Sequence, residues 1–97
     1  MPRFGSHARV VHAADPEVAR RAVLMRSGRI GEATILDSDV DADGQTLLSY
    51  CYSVGGVDYE TVQHLDAEQL TRKDYYLPGS RVDIRYDPRR PANSLVV

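Results

Sequence analysis

The chain has 97 residues, 42% hydrophobic and 27% charged, with a formal net charge of −2. That is the composition of one small globular domain, with too little core to enclose a deep substrate cavity. Cys51 is the single cysteine, which excludes an internal disulfide and leans towards a reducing compartment.

The charge is unevenly distributed. Residues 1–36 carry six Arg against Asp15, Glu17 and Glu32, a balance of +3. Residues 37–97 carry six basic against eleven acidic groups, a balance of −5. A nucleic-acid binder usually shows a basic domain face, so the acidic strand region argues against that class of partner. Met1 to His12 lacks the apolar core of a secretory signal. No stretch approaches the roughly 18 apolar residues that span a bilayer. The expectation is a cytoplasmic protein with no membrane span.

Residues 1–14 show no period and are expected to form a flexible tail. Residues 15–97 are expected to form one small β domain led by a helix. Asp15, Pro16 and Glu17 make a helix start: an N-cap, a proline at the first helical position and an acid in the first turn. The helix should run to about Ser27 and stop at Gly28. Val18, Ala22 and Met25 share a face. The arginines Arg20, Arg21, Arg26 and Arg29 are spread around the wheel, which favours a docked helix over a membrane-surface one.

From Ile30 the period changes to two. Ala33 and Ile35 alternate with Glu32 and Thr34 in a first strand ending near Leu36. Asp37 to Gly44 reads as a turn or loop. Thr46 to Val54 is a second strand, with Leu48, Tyr50, Tyr52 and Val54 on one face and Ser49, Cys51 and Ser53 on the other. Gly55-Gly56 signals a tight hairpin, and Val57, Tyr59 and Thr61 continue into a third strand reaching about His64. Asp66 to Tyr76 has room for a short helix capped by Asp66, with Leu70 facing in. Pro78-Gly79 is a turn. Val82, Ile84 and Tyr86 alternate with Asp83 and Arg85, Asp87-Pro88 stops that strand, and Pro91 to Ser94 turn the chain into a last apolar run. The fold class is mainly β: a small five-stranded antiparallel barrel or coiled sheet with an N-terminal α-helix.

Three groups of these residues carry a family resemblance. They are Ala33, Thr34 and Ile35; then Tyr50, Tyr52, Val54, Gly56 and Tyr59; then Pro78, Gly79, Val82, Ile84, Tyr86, Asp87 and Pro88 with the later Pro91, Ser94 and Leu95. Over about residues 28–97 the chain resembles the bacterial domain-of-unknown-function family 3592. The resemblance implies a compact β domain, often set beside transmembrane helices in bacterial envelope proteins, with no established activity. This chain departs from that arrangement by lacking a membrane segment.

Candidate sites are few. Asp39, Asp41 and Asp43, followed by Gly44, match the first half of a calcium-binding loop of the EF-hand type. The twelfth position is Tyr50, where such a loop needs a bidentate Glu, and the flanks read as strands. A solvated acidic turn explains the same residues, with weak calcium binding as the functional alternative. His7 and His12 fall in the expected tail, and no Cys or second His stands near His64 at metal-ligand spacing. Cys51 lies mid-strand without a legible base and reads as a buried structural thiol. Tyr50, Tyr52, Tyr59 and Tyr86 read as barrel wall. Stacking on single-stranded nucleic acid, with Arg81 and Arg85 on the backbone, is the alternative.

Tyr75 and Tyr76 in the connector, with Arg89 and Arg90 in the last turn, form the expected partner surface, because aromatic and Arg side chains anchor interfaces. The reading is therefore a non-catalytic protein-interaction module with no cofactor. Its partner is another protein or a second copy, the latter paired through an exposed edge strand.

Overall fold

The computed structural model describes residues 16–97. The expected tail over residues 1–14, the Asp15 cap, His7 and His12 lie outside the described residues. The elements in chain order are α1 (Pro16–Ser27), β1 (Arg29–Val40), β2 (Thr46–Val54), β3 (Val57–His64), α2 (Ala67–Leu70), a 3₁₀ turn (Lys73–Tyr76), β4 (Arg81–Asp87) and β5 (Arg90–Val96).

The five strands form one sheet in the order β3-β2-β1-β4-β5, and every neighbouring pair is antiparallel. Period-two alternation puts Ala33, Ile35, Leu48, Tyr50, Tyr52, Val82, Ile84 and Val96 into a single core, joined by Leu65 and Tyr76. Gly55 and Gly56 have φ of 59° and 82°, the left-handed geometry a two-residue hairpin between β2 and β3 requires.

β1 is longer than the alternation suggests. Its register against β2 shifts between Ile35 and Asp37, so Leu36 is the extra residue of a β-bulge. Beyond it Asp37, Ser38, Asp39 and Val40 still pair with Ser49, Leu48, Leu47 and Thr46. The turn is thus only Asp41–Gln45, not Asp37–Gly44. β5 likewise begins at Arg90, earlier than expected, and Pro91 is accommodated because β5 is an edge strand.

An odd number of alternating strands leaves β3 and β5 parallel at the two edges. Side chains close that seam. Gln63 of β3 donates Nε2 to the Val96 carbonyl at 3.0 Å and accepts the Val96 N–H at 2.8 Å. Its amide satisfies both backbone groups of Val96, as a neighbouring strand would. Gln69 donates a second bond to the same carbonyl at 2.8 Å. Gln69 also completes a capping box with Asp66, as that residue's predicted cap role requires. Gln69, not Leu70, is therefore the residue of α2 that turns in; Leu70 is exposed. From β2, the Tyr50 hydroxyl meets Ser94 Oγ at 2.7 Å and the Tyr52 hydroxyl donates to the Pro91 carbonyl. Burial pushes both tyrosine hydroxyls up in pKa.

Helix α1 packs outside β4 and β5. Its buried residue is Leu24, off the expected stripe; Val18 and Met25 are exposed. Polar contacts hold the helix over the seam. Arg20 donates to Asn93 Oδ1 at 3.0 Å and to the Ser94 carbonyl at 2.7 Å. Arg21 donates to the His64 carbonyl at 2.8 Å. Both arginines also bond Glu17. The Arg20 guanidinium is the main reason that the Glu17 carboxyl falls to about 2. Gly28 ends the helix by close approach: a Cβ there would lie 2.5 Å from the Leu24 carbonyl oxygen.

Candidate functional site

The acidic turn is held together by one of its own carboxylates. Asp41 Oδ1 accepts the N–H groups of Asp43 and Gln45, each at 2.9 Å, and Oδ2 meets His64 Nε2 at 2.8 Å. The Gln45 N–H first, then His64, hold its carboxyl below the usual range. Asp39 sits in β1 opposite Leu47, and Asp43 follows in the turn. Among the described residues, no three His, Cys, Asp or Glu side chains converge as a metal-binding group.

The partner-surface residues divide into three. Tyr75 is 67% exposed, as expected of a contact residue. Tyr76 is 2% exposed and belongs to the core, which corrects its expected exposure. The 3₁₀ turn sends its ring into the core, and the hydroxyl donates to the Val97 carbonyl at 3.1 Å. Arg89 lies in the β4–β5 turn and Arg90 opens β5 opposite Asp87, both at the far end of β4 from Tyr75. The intervening strand Arg81–Asp87, at about 3.3 Å per residue, separates them by roughly 20 Å. They do not share a patch with Tyr75.

The arginines that share a hollow with Tyr75 are Arg72 and Arg81. These three, with Tyr76, Val82, Asp83 and Val97, line an open hollow of about 410 Å³. Arg72 also bonds Glu68 and lies 5.9 Å from the Tyr76 ring centroid, and Arg81 bonds Glu32. Period-two counting found the strand arginine Arg81 but could not show that the connector folds back beside it.

A second hollow, of about 780 Å³, lies on β1–β2–β3. Glu32, Thr34, Cys51, Ser53, Asp58, Glu60 and Arg81 line it. Cys51 opens into it and is half-buried, a correction to the expected buried thiol. The sheet tyrosines instead point inward. Tyr50 and Tyr52 are buried, Tyr59 and Tyr86 are partly buried against the core, and Tyr52 stacks on Tyr50 and Tyr59 at 5.9 and 5.3 Å. None of the four forms an outward stacking platform.

The fold is a nearly closed, five-stranded barrel with a leading helix, a helical connector between β3 and β4, and a side-chain-bonded seam. Five-stranded, partly open barrels of this size are a scaffold on which many unrelated functions are built, so the architecture assigns none. The model of the family described as a domain of unknown function, DUF3592, matches residues 26–97, and the chain belongs to that family. Nearly all of α1 precedes the match. Neither the curated proteins nor the solved structures contain a match to this chain. Among the described residues, no helix is long and apolar enough to cross a membrane.

Proposed function

We propose that the chain is a non-catalytic protein-interaction module whose contact surface centres on Tyr75. One observation carries this reading: an aromatic ring exposed on a short helical turn, at the rim of a 410 Å³ hollow shared with Arg72 and Arg81. A ring with two side-chain torsions orders cheaply on contact, and Tyr and Arg are the residue types that dominate interface energetics. Exposed Leu77, two residues further on, adds apolar area. The same reading makes the partner a protein and the setting a bacterial cytoplasm, in keeping with the lone cysteine.

The test is affinity capture of the tagged chain from its source cells, with Tyr75→Ala alongside. Because Tyr75 is exposed, the variant should fold with stability within about 0.5 kcal/mol of the parent. A partner that binds the parent and is lost from the folded variant is the expected result. Equal recovery by both proteins refutes the surface.

A further inference from the structure

The outer edge of β3 is a row of backbone groups that no other described strand uses. β3 ends the sheet order. Its odd-numbered residues face β2, as the Leu65 N–H bonded to the Thr46 carbonyl continues to show. Its even-numbered residues face away, as the His64 carbonyl bonded to Arg21 shows. Alternation therefore points the N–H and C=O groups of Asp58, Glu60 and Val62 outward. Among the described residues, no hydrogen bond reaches these six groups.

The side chains of the same stretch specify what could pair there. Asp58 and Glu60 are exposed on the outer face, opposite Ser53 and Cys51, and rim the 780 Å³ hollow. Asp58 accepts a bond from Ser53 Oγ, and Glu60 has no ion-pair partner among the described residues. Behind them lies Glu32, whose only described ion pair is with Arg81. Carboxylates thus outnumber cations three to one around the hollow.

We propose that the β3 edge from Asp58 to Val62 receives an extended partner segment carrying Arg or Lys at alternate positions. Strand addition would satisfy the six outward backbone groups, which gives affinity. Basic side chains on the same face would lie beside Asp58 and Glu60, which gives selectivity, since opposite charges on adjacent strands attract and like charges repel. The second effect also disfavours a second copy of β3, whose own Asp58 and Glu60 would face this pair. Exposed acids on an edge strand guard against self-pairing while leaving the edge open to a basic strand. Arg81 lines both hollows, but Tyr75 lines only the smaller one, so either proposal can fail alone.

The probe is a synthetic ten-residue peptide alternating Arg with Val or Thr, titrated into the full ¹⁵N-labelled chain. An otherwise identical peptide with Glu for Arg is the control. The expected result is binding of the basic peptide alone, with shift changes centred on β3 and slowed amide exchange at Asp58, Glu60 and Val62. Asp58→Asn/Glu60→Gln keeps side-chain shape and should weaken binding about tenfold, the combined worth of two cross-strand charge pairs. Val62→Pro removes one outward N–H without touching the β2 ladder and should weaken binding with both acids present. Tyr75→Ala should bind the peptide as the parent does. The proposal is overturned by no binding at millimolar peptide, by shifts mapping elsewhere, by equal binding of the acidic control, or by undiminished binding to the Asn/Gln variant. Self-association through β3 in place of peptide binding would also overturn it.

Discussion

Replacing Gln63 with methionine keeps the side chain's length and removes both of its bonds to Val96. Gln63 is 5% exposed and Val96 is fully buried, so water cannot replace what is lost. The Val96 carbonyl retains Gln69 at 2.8 Å, but the Val96 N–H loses its one described acceptor. A buried donor left without a partner costs roughly 1–3 kcal/mol. Burying a thioether instead of an amide returns part of that, so we expect a net loss of about 2 kcal/mol. For a domain of this size that corresponds to a fall in Tm of roughly 8–15 °C. Gln69→Met should cost less at the seam, about 1 kcal/mol, because Val96 then keeps both partners on Gln63. Urea unfolding gives the free energies, and amide exchange at Val96 reports the seam directly. If Gln63→Met lies within 0.5 kcal/mol of the parent, or its Val96 amide still exchanges slowly, then the side-chain closure is not what holds β5 in place.

Two further outcomes follow from the same contacts. Tyr76→Ala should lose about 3–5 kcal/mol, the cost of deleting a buried aromatic, whereas Tyr76→Phe should lose only the bond to the Val97 carbonyl, about 1 kcal/mol; equal losses measured by urea unfolding would contradict the buried placement of the ring. Glu17 titrates near 4.5 ordinarily and near 2 here, so its stabilisation of α1 is complete above pH 4.5 and disappears as pH falls through about 2. NMR shifts of Asn93 and Ser94 should follow that acid transition, and Glu17→Gln should remove it.

Much of the barrel was legible because the two faces of β2 and of β4 differ in chemistry. Leu48, Tyr50 and Tyr52 declare an inner side, and the turn glycines separate the strands. The bulge defeated the same rule in β1. One extra residue at Leu36 inverts the parity, and the acids that follow resemble a loop while remaining paired. Tyr75 and Tyr76 defeated it differently: adjacent tyrosines carry identical propensities, and only the 3₁₀ geometry sends one out and the other in. The seam left a trace that pattern reading passed over. Gln63 occupies an inward position of β3, where an apolar residue belongs, and a polar residue at such a site calls for a buried partner. Its partner is a backbone 33 residues away, which no local pattern specifies. The β3 edge was hidden for a related reason. Asp58 and Glu60 look like ordinary solvated charges until the strand order shows that no described strand pairs beyond them.

The closure of the barrel by Gln63 also has a kinetic meaning. The β1–β2–β3 meander joins residues close in sequence and can assemble early, whereas the seam must wait for the last strand to arrive. Bonds that form after the rate-limiting step leave the folding rate almost untouched and act on the return journey. Loss of Gln63 should therefore appear in the unfolding limb of a chevron plot. The amide on β3 is less a part of the assembly line than a bolt drawn after the door has shut.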